Sequence, residues 1–147
     1  MKLTTKGRYA VTAMLDIAIH CERKPVSIID ISSRQGISSA YLEQLVRRLK
    51  LAGLLTSQRG PGGGYVLART AEEISISEIV SAVGEGVDAT RCGGKADCLE
   101  GHMCLTHKLW VDLSDQIDGF LQGISLASLA VRQAALSSSD RIAVTLV

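Results

Sequence analysis

The sequence predicts a mainly α-helical chain: a winged helix-turn-helix with a two-stranded wing, followed by a long C-terminal helix suited to dimerisation. Three observations predict it. Two short helical patterns are separated by the glycine-bearing turn Gln35-Gly36-Ile37-Ser38. Two strand-like runs flank the basic, glycine-rich Arg59-Gly60-Pro61-Gly62-Gly63-Gly64. Leu105, Leu109, Leu113, Ile117 and Leu121 recur every fourth residue near the C-terminal end.

The first element spans TTKGRYAVTAMLDIAIHCERK, where Tyr9, Ala13, Met14, Ile17 and Ala18 fall at helical spacing and Thr4 or Thr5 supplies a cap. After the proline turn at Pro25, Ser27 and Asp30 resemble a capping box that opens a short helix ending near Gly36. Ser38 caps a third helix with the apolar stripe Leu42, Leu45, Val46 and Leu49, stopped by Gly53. Leu54 to Gln58 and Tyr65 to Ala68 read as strands. Pro61 followed by Gly62 suits a type II turn at their tip, because proline fixes φ and glycine supplies a positive one. Ser75 and Glu78 form a second capping box, opening a helix that packs through Ile76, Ile79, Val80 and Val83. A long helix follows over LTHKLWVDLSDQIDGFLQG, with Trp110 and Phe120 beside its apolar stripe. A stripe of that length suits a second copy of the chain better than a private core. SLASLAVRQAAL reads as a shorter last helix, and SSSDRIAVTLV carries no firm signal. The expected organisation is residues 1–84 as the DNA-binding domain, 85–104 as a ligand-bearing loop, and 105–147 as dimerisation helices and tail.

Hydrophobic residues make up 46% of the 147-residue chain but aromatic ones only 3%, so the expected core is aliphatic. No run of 18 or more apolar residues predicts a membrane span, and the N-terminal stretch has no secretion-signal pattern. A cytoplasmic location is expected, with reduced thiols available for metal or redox use. The net charge of +1 conceals an asymmetry. Residues 1–70 carry eleven Lys or Arg against four Asp or Glu, and residues 71–147 carry five against eleven. An anionic partner is therefore expected for the front half only.

The arrangement of that basic half favours duplex DNA over a protein-interaction module. Lys2, Lys6 and Arg8 lie at the start of the first helix, and Arg47, Arg48 and Lys50 on the third, where they can neutralise phosphates. The N-terminal part of the third helix would enter the major groove. There Gln44 can pair with adenine and Glu43 can accept from the cytosine amine, while Ser38 and Tyr41 hold phosphates. Arg59 and Gly60 at the wing tip would reach an adjacent minor groove. Glu43 costs binding energy wherever it finds no cytosine donor, so it can discriminate against wrong sequences. No phosphate-binding loop and no nucleophile–base pair argues for an enzyme.

The stretch RCGGKADCLEGHMCLTH crowds three of four cysteines and two of three histidines together. Cys92, Cys98, Cys104 and His107 are spaced C-x5-C-x5-C-x2-H, too wide for a zinc knuckle and unlike the plant-type ferredoxin spacing. Gly93, Gly94 and Gly101 let the loop fold back so that the sulfurs converge. Cys104 and His107, three residues apart at the start of the long helix, are expected on one side. Four soft or borderline donors suit tetrahedral zinc or a [2Fe–2S] cluster, and the spacing alone leaves both open. His102 is out of step and reads as solvent-facing. Cys21 reads as a small buried hydrophobe.

MKLTTKGRYAVTAMLDIA, SSAYLEQLVRRL, RGPGGGYVL and the C-x5-C-x5-C-x2-H loop followed by LW-x-DLSD resemble the iron–sulfur cluster regulators among the Rrf-type winged-helix transcription regulators, from Met1 to about Leu129. The resemblance implies one [2Fe–2S] cluster per chain on Cys92, Cys98, Cys104 and His107, received from the cluster-assembly machinery. It implies a homodimer on palindromic promoter sites, with cluster occupancy changing promoter selection and the cluster-assembly genes under control. Glu43 would exclude one class of sites when the cluster is absent. The sequence departs from the pattern at Ala40, where close relatives carry a hydroxyl, and in the tail beyond Leu129. A zinc-stabilised winged-helix binder without sensing is the alternative.

Overall fold

The computed structural model describes residues 3–90 and 92–145, with residues 139–145 described as backbone alone. The elements in chain order are α1 (Thr5–His20), α2 (Ile28–Gln35), α3 (Ser39–Leu51), β1 (Leu55–Gln58), β2 (Gly64–Leu67), α4 (Ile76–Ala82), α5 (His107–Gln122) and α6 (Leu126–Thr145). The architecture is that of a winged helix-turn-helix, mainly helical with one antiparallel two-stranded sheet.

The helix starts are set by side chains that satisfy otherwise orphaned N–H groups. Thr4, Ser27, Ser38 and Ser75 each accept from a first-turn amide. Ser75 and Glu78 complete a reciprocal capping box. Gly36, at φ +67, ends α2 in the left-handed conformation and lets the chain turn sharply into α3. The strands pair from Leu55 opposite Leu67 to Gln58 opposite Gly64. At the tip, the Gly63 N–H donates to the Gly60 carbonyl, and Gly62 takes φ +74, as the expected type II turn requires. Close to that tip, Val26 and Tyr65 exchange two backbone hydrogen bonds, which tie β2 to the segment ahead of α2.

One aliphatic core joins α1 to α4, drawing on Met14, Ile17, Ile31, Leu42, Leu45, Leu49, Leu55 and Ile79. Leu126 belongs to it as well. Its N–H donates to Ile74, and the Ile76 N–H donates to Ile124, so the corner between α5 and α6 is laced into the head.

Three expectations are corrected. Tyr9 stands at the surface, its ring meeting Tyr41 edge-on at a centroid distance of 5.8 Å, and Ala10 fills the buried position instead. Asp16, on the same helix, is 2% exposed. The long helix begins at His107, so Cys104 and Leu105 precede it. The last helix runs on to Thr145 through the segment that carried no sequence signal.

Candidate metal centre and DNA-binding face

The loop between α4 and α5 reverses direction through Gly93, Gly94, Ala96, Glu100 and Gly101, all at positive φ. Leu99 and His102 exchange two backbone hydrogen bonds, closing a small turn between Cys98 and Cys104. The result brings the Cys92 and Cys98 sulfurs and the His107 imidazole within 4.8 Å of one another. His107 Nδ1 faces both sulfurs, 3.5 Å from Cys92 Sγ and 3.8 Å from Cys98 Sγ. The imidazole is buried and the sulfurs are half-buried.

Cys104 takes a different position from the one its three-residue spacing to His107 suggests. It precedes the helix, and its side chain is not in the group of three. Its N–H donates to Cys98 Sγ at 3.0 Å, its carbonyl accepts from the His107 N–H, and its sulfur is 3.9 Å from Thr106 Oγ1. It remains next to the group. A cavity of about 200 Å³ is lined by Thr90, Cys98, Cys104, His107 and Trp110 among others. His102 is exposed, and Cys21 is half-buried against the core.

The electrostatics favour sulfur anions. Burial disfavours ionisation of Cys92, but the N–H groups of Ala96 and Gly94, the Thr90 hydroxyl and the Asp97 N–H point at its sulfur and lower its pKa to about 7. Cys98 and Cys104 interact as a pair. The hydrogen bond between their thiols holds Cys98 above the usual thiol range and Cys104 below it. The N-terminus of α5, with its partial positive charge, opens at His107 beside them. Two sulfurs and an imidazole converging at a helix N-terminus, with a third thiol adjacent, form a donor set suited to zinc or iron–sulfur chemistry.

Of the residues expected to meet DNA, Ser38, Glu43, Gln44, Arg59 and Gly60 are exposed and Tyr41 is half-buried. Glu43 and Gln44 are exposed on α3 between the buried Leu42 and Leu45. Ser38 caps the helix, its hydroxyl accepting from the Tyr41 N–H. Tyr41 is half-buried against Tyr9. Arg59 and Gly60 are exposed at the wing tip. Lys2, expected to contact phosphate, lies outside the described residues. Arg48 donates to the Val83 carbonyl at 3.0 Å, and Lys50 to Ser57.

Sequence reasoning missed Asp16. Its carboxylate is held by Arg34 through two hydrogen bonds of 2.8 and 3.0 Å and by Gln35 at 2.8 Å. These bonds lock α1 to the end of α2, just before the turn into α3. The exposed face of α5 carries Leu109, Trp110, Leu113 and Phe120, with Leu109 57% and Phe120 66% exposed. No helix among the described residues is long and apolar enough to cross a membrane.

Comparison with known proteins bears on the same residues. Residues 3–132 match the Rrf2 family, described as iron-dependent transcriptional regulators. The HTH-type transcriptional regulator IscR of Cronobacter sakazakii is 58% identical over 141 residues, covering 96% of this chain and 87% of that one. IscR of Escherichia coli O1:K1 / APEC is 57% identical with the same coverage. Among solved structures, CymR, the global cysteine regulator of B. subtilis, superposes with a TM-score of 0.78 at 32% identity, covering 90% of this chain and 98% of that one. T. potens IscR gives 0.74 at 38% identity, covering 91% and 88%.

Proposed function

The chain belongs to the Rrf2 family and is a DNA-binding transcriptional regulator of the IscR type rather than an enzyme, and from that premise we propose that it senses iron–sulfur clusters. In this reading Cys92, Cys98, Cys104 and His107 hold one [2Fe–2S] cluster per chain. The observation that carries it is the convergence of the Cys92, Cys98 and His107 donor atoms within 4.8 Å. The cluster, when bound, supplies an oxidisable and removable centre.

The chain's own residues give that centre its character. N–H groups from the 94–97 turn stabilise the Cys92 thiolate. An imidazole in place of a fourth thiolate lowers the negative charge on the centre and must be neutral to bind, so ligation is readily lost. Occupancy would then track cluster supply from the assembly machinery. Two copies would join through the exposed apolar face of α5, setting two recognition helices on a palindromic promoter site. Ser38, Tyr41, Glu43, Gln44, Arg59 and Gly60 would meet the duplex. Occupancy would change which promoters are chosen, those of the cluster-assembly genes included, in the cytoplasm.

Oxygen-free purification followed by an absorption spectrum, iron and sulfide assay, and promoter footprinting with and without the cluster tests this reading. Reddish-brown protein with equimolar iron and sulfide and an occupancy-dependent footprint is expected. Colourless protein that holds zinc would replace the reading with a structural-zinc DNA binder. Sedimentation of the same preparation reads the dimer.

A further inference from the structure

The segment from Val83 to Cys92 joins the head to the donor loop, and it is tied at both ends. At the head end, Glu85 Oε2 accepts from the backbone N–H of Thr4 at 3.1 Å and of Gly7 at 2.9 Å, and Glu85 Oε1 accepts from the Thr4 hydroxyl. Thr4 is the residue that caps α1, its hydroxyl accepting from Lys6. The Glu85 carboxylate therefore completes the cap of α1 from 78 residues away in sequence. Arg48 of α3 reaches the same corner at Val83. At the other end, the Ala89 N–H donates to Ser114 Oγ of α5 at 2.8 Å, three residues before Cys92. Ser77 and Asp118 bind at 2.7 Å and tie α4 to α5 further along.

Gly7 shows how closely the two parts fit. It is buried, and a Cβ built there would collide with Glu85 Oε2. A glycine three residues into a helix costs helix stability relative to alanine. Here its lack of a side chain is what admits the carboxylate.

We propose that Glu85 is a positioning residue that carries the state of the donor loop to the first turn of α1, where Lys6 and Arg8 approach the duplex. The inference rests on the cluster-binding reading above. Fixing Cys92 on a bound centre restricts the short stretch that joins it to Glu85, and the order passes to α1 through the shared hydrogen bonds. Removing the carboxylate leaves donors and reading helix intact but cuts the link.

The test uses full-length wild type, Glu85→Ala and Gly7→Ala. Each is assayed for iron and sulfide, then for promoter affinity with and without the cluster, alongside amide exchange at the first turn of α1. In wild type, filling is expected to change promoter affinity about fivefold or more, the usual scale of coupling between sites. It should also slow exchange at Gly7. Both variants are expected to take up iron and sulfide as wild type does, while their affinity ratio collapses to within about twofold. Gly7→Ala is the sharper case. Alanine strengthens the helix in isolation, so a lost ratio there cannot come from a weaker α1. Retention of the wild-type ratio by either variant overturns the proposal. Loss of iron uptake in Glu85→Ala does so too, because the carboxylate would then serve the centre itself. Wild type that takes up no iron and sulfide, or takes them up without any change in affinity, brings down the cluster-sensing reading and this inference with it, and the wild-type arm alone identifies that case.

Discussion

Between Leu42 and Leu49 four side chains are buried at helical spacing, whereas between Gly86 and Thr106 no described residue is buried. The head is held by apolar area removed from water, with Met14, Ile17, Ile31 and Leu45 interlocked at its centre. The donor loop has no such centre. Its shape comes from five residues at positive φ, among them Ala96 and Glu100, which bear side chains, and from a few backbone hydrogen bonds that converge on sulfur. The loop is thus held by backbone conformation and polar contacts where the head is held by a core. The difference teaches that head and loop can be broken separately, and each break should leave the other standing.

The largest break belongs to the head. Ile17→Ala opens a cavity where the side chain is fully buried, and about 3–4 kcal/mol of unfolding free energy should be lost. Urea unfolding at fixed protein concentration reads it as a lower midpoint with an unchanged slope. An intact midpoint would mean that the core is not where the head's stability lies.

Next is the ion pair between the first two helices. Burial of Asp16 works against its charge, but hydrogen bonds from Arg34 and Gln35 and the nearby Arg34 and His20 charges outweigh it, so its carboxyl ionises below the ordinary value of 3.8. Its contribution to stability is therefore complete above that value and is lost as pH falls through the lower, folded value. Asp16→Asn should cost about 2 kcal/mol at neutral pH, less than a fully buried pair because the Arg34 side chain is 36% exposed. It should also flatten the fall in stability below about pH 4, the acid range in which ordinary carboxylates titrate. A variant that keeps the wild-type acid profile would show that Asp16 does not titrate with folding.

Much of the head was legible in the sequence because local chemistry decides it. Ser27, Ser38 and Ser75 cap helices on their own first turns, and the Leu42–Leu49 stripe faces the core that its spacing demands. The glycine-rich tip turns as its residue types dictate. What escaped the sequence depends on partners far along the chain. Asp16 carries no mark in the sequence, because only the return of α2 brings Arg34 onto it. Tyr9 fitted the apolar stripe of α1, but the shorter Ala10 fits under the fold. The last helix reads as helical only as far as Leu136, and the serine run at 137–139 gives nothing to read, although the backbone stays helical. In the donor loop the residue types were plain and the convergence of Cys92, Cys98 and His107 followed. The position of Cys104 did not, because its spacing to His107 implies one helical turn while the helix starts only at His107.

A smaller effect falls on a cap. Ser75→Ala removes one half of the reciprocal bonds that open α4, and about 1 kcal/mol should go. Ser75→Asp, which can accept the same Glu78 N–H, should restore most of it. If alanine and aspartate behave alike in urea, the capping box is not what starts the helix.

The smallest expected change in stability comes from the centre of the loop, and it sharpens the comparison most. Cys98→Ser removes the sulfur that accepts from the Cys104 N–H and lies 3.8 Å from His107. No core side chain depends on it. The unfolding free energy of metal-free protein should shift by less than about 0.5 kcal/mol, the usual range for substitutions away from a core. Under oxygen-free reconstitution the same variant should lose nearly all the iron and sulfide that wild type retains. The pairing of those two readouts matters more than either one. Iron retained at wild-type level would exclude Cys98 from the donor set. Iron lost together with several kcal/mol would mean that the loop props up the head, and the two regions would have to be described as one folding unit. Iron lost with stability intact leaves a self-sufficient reading head carrying a loop whose order depends on what fills it.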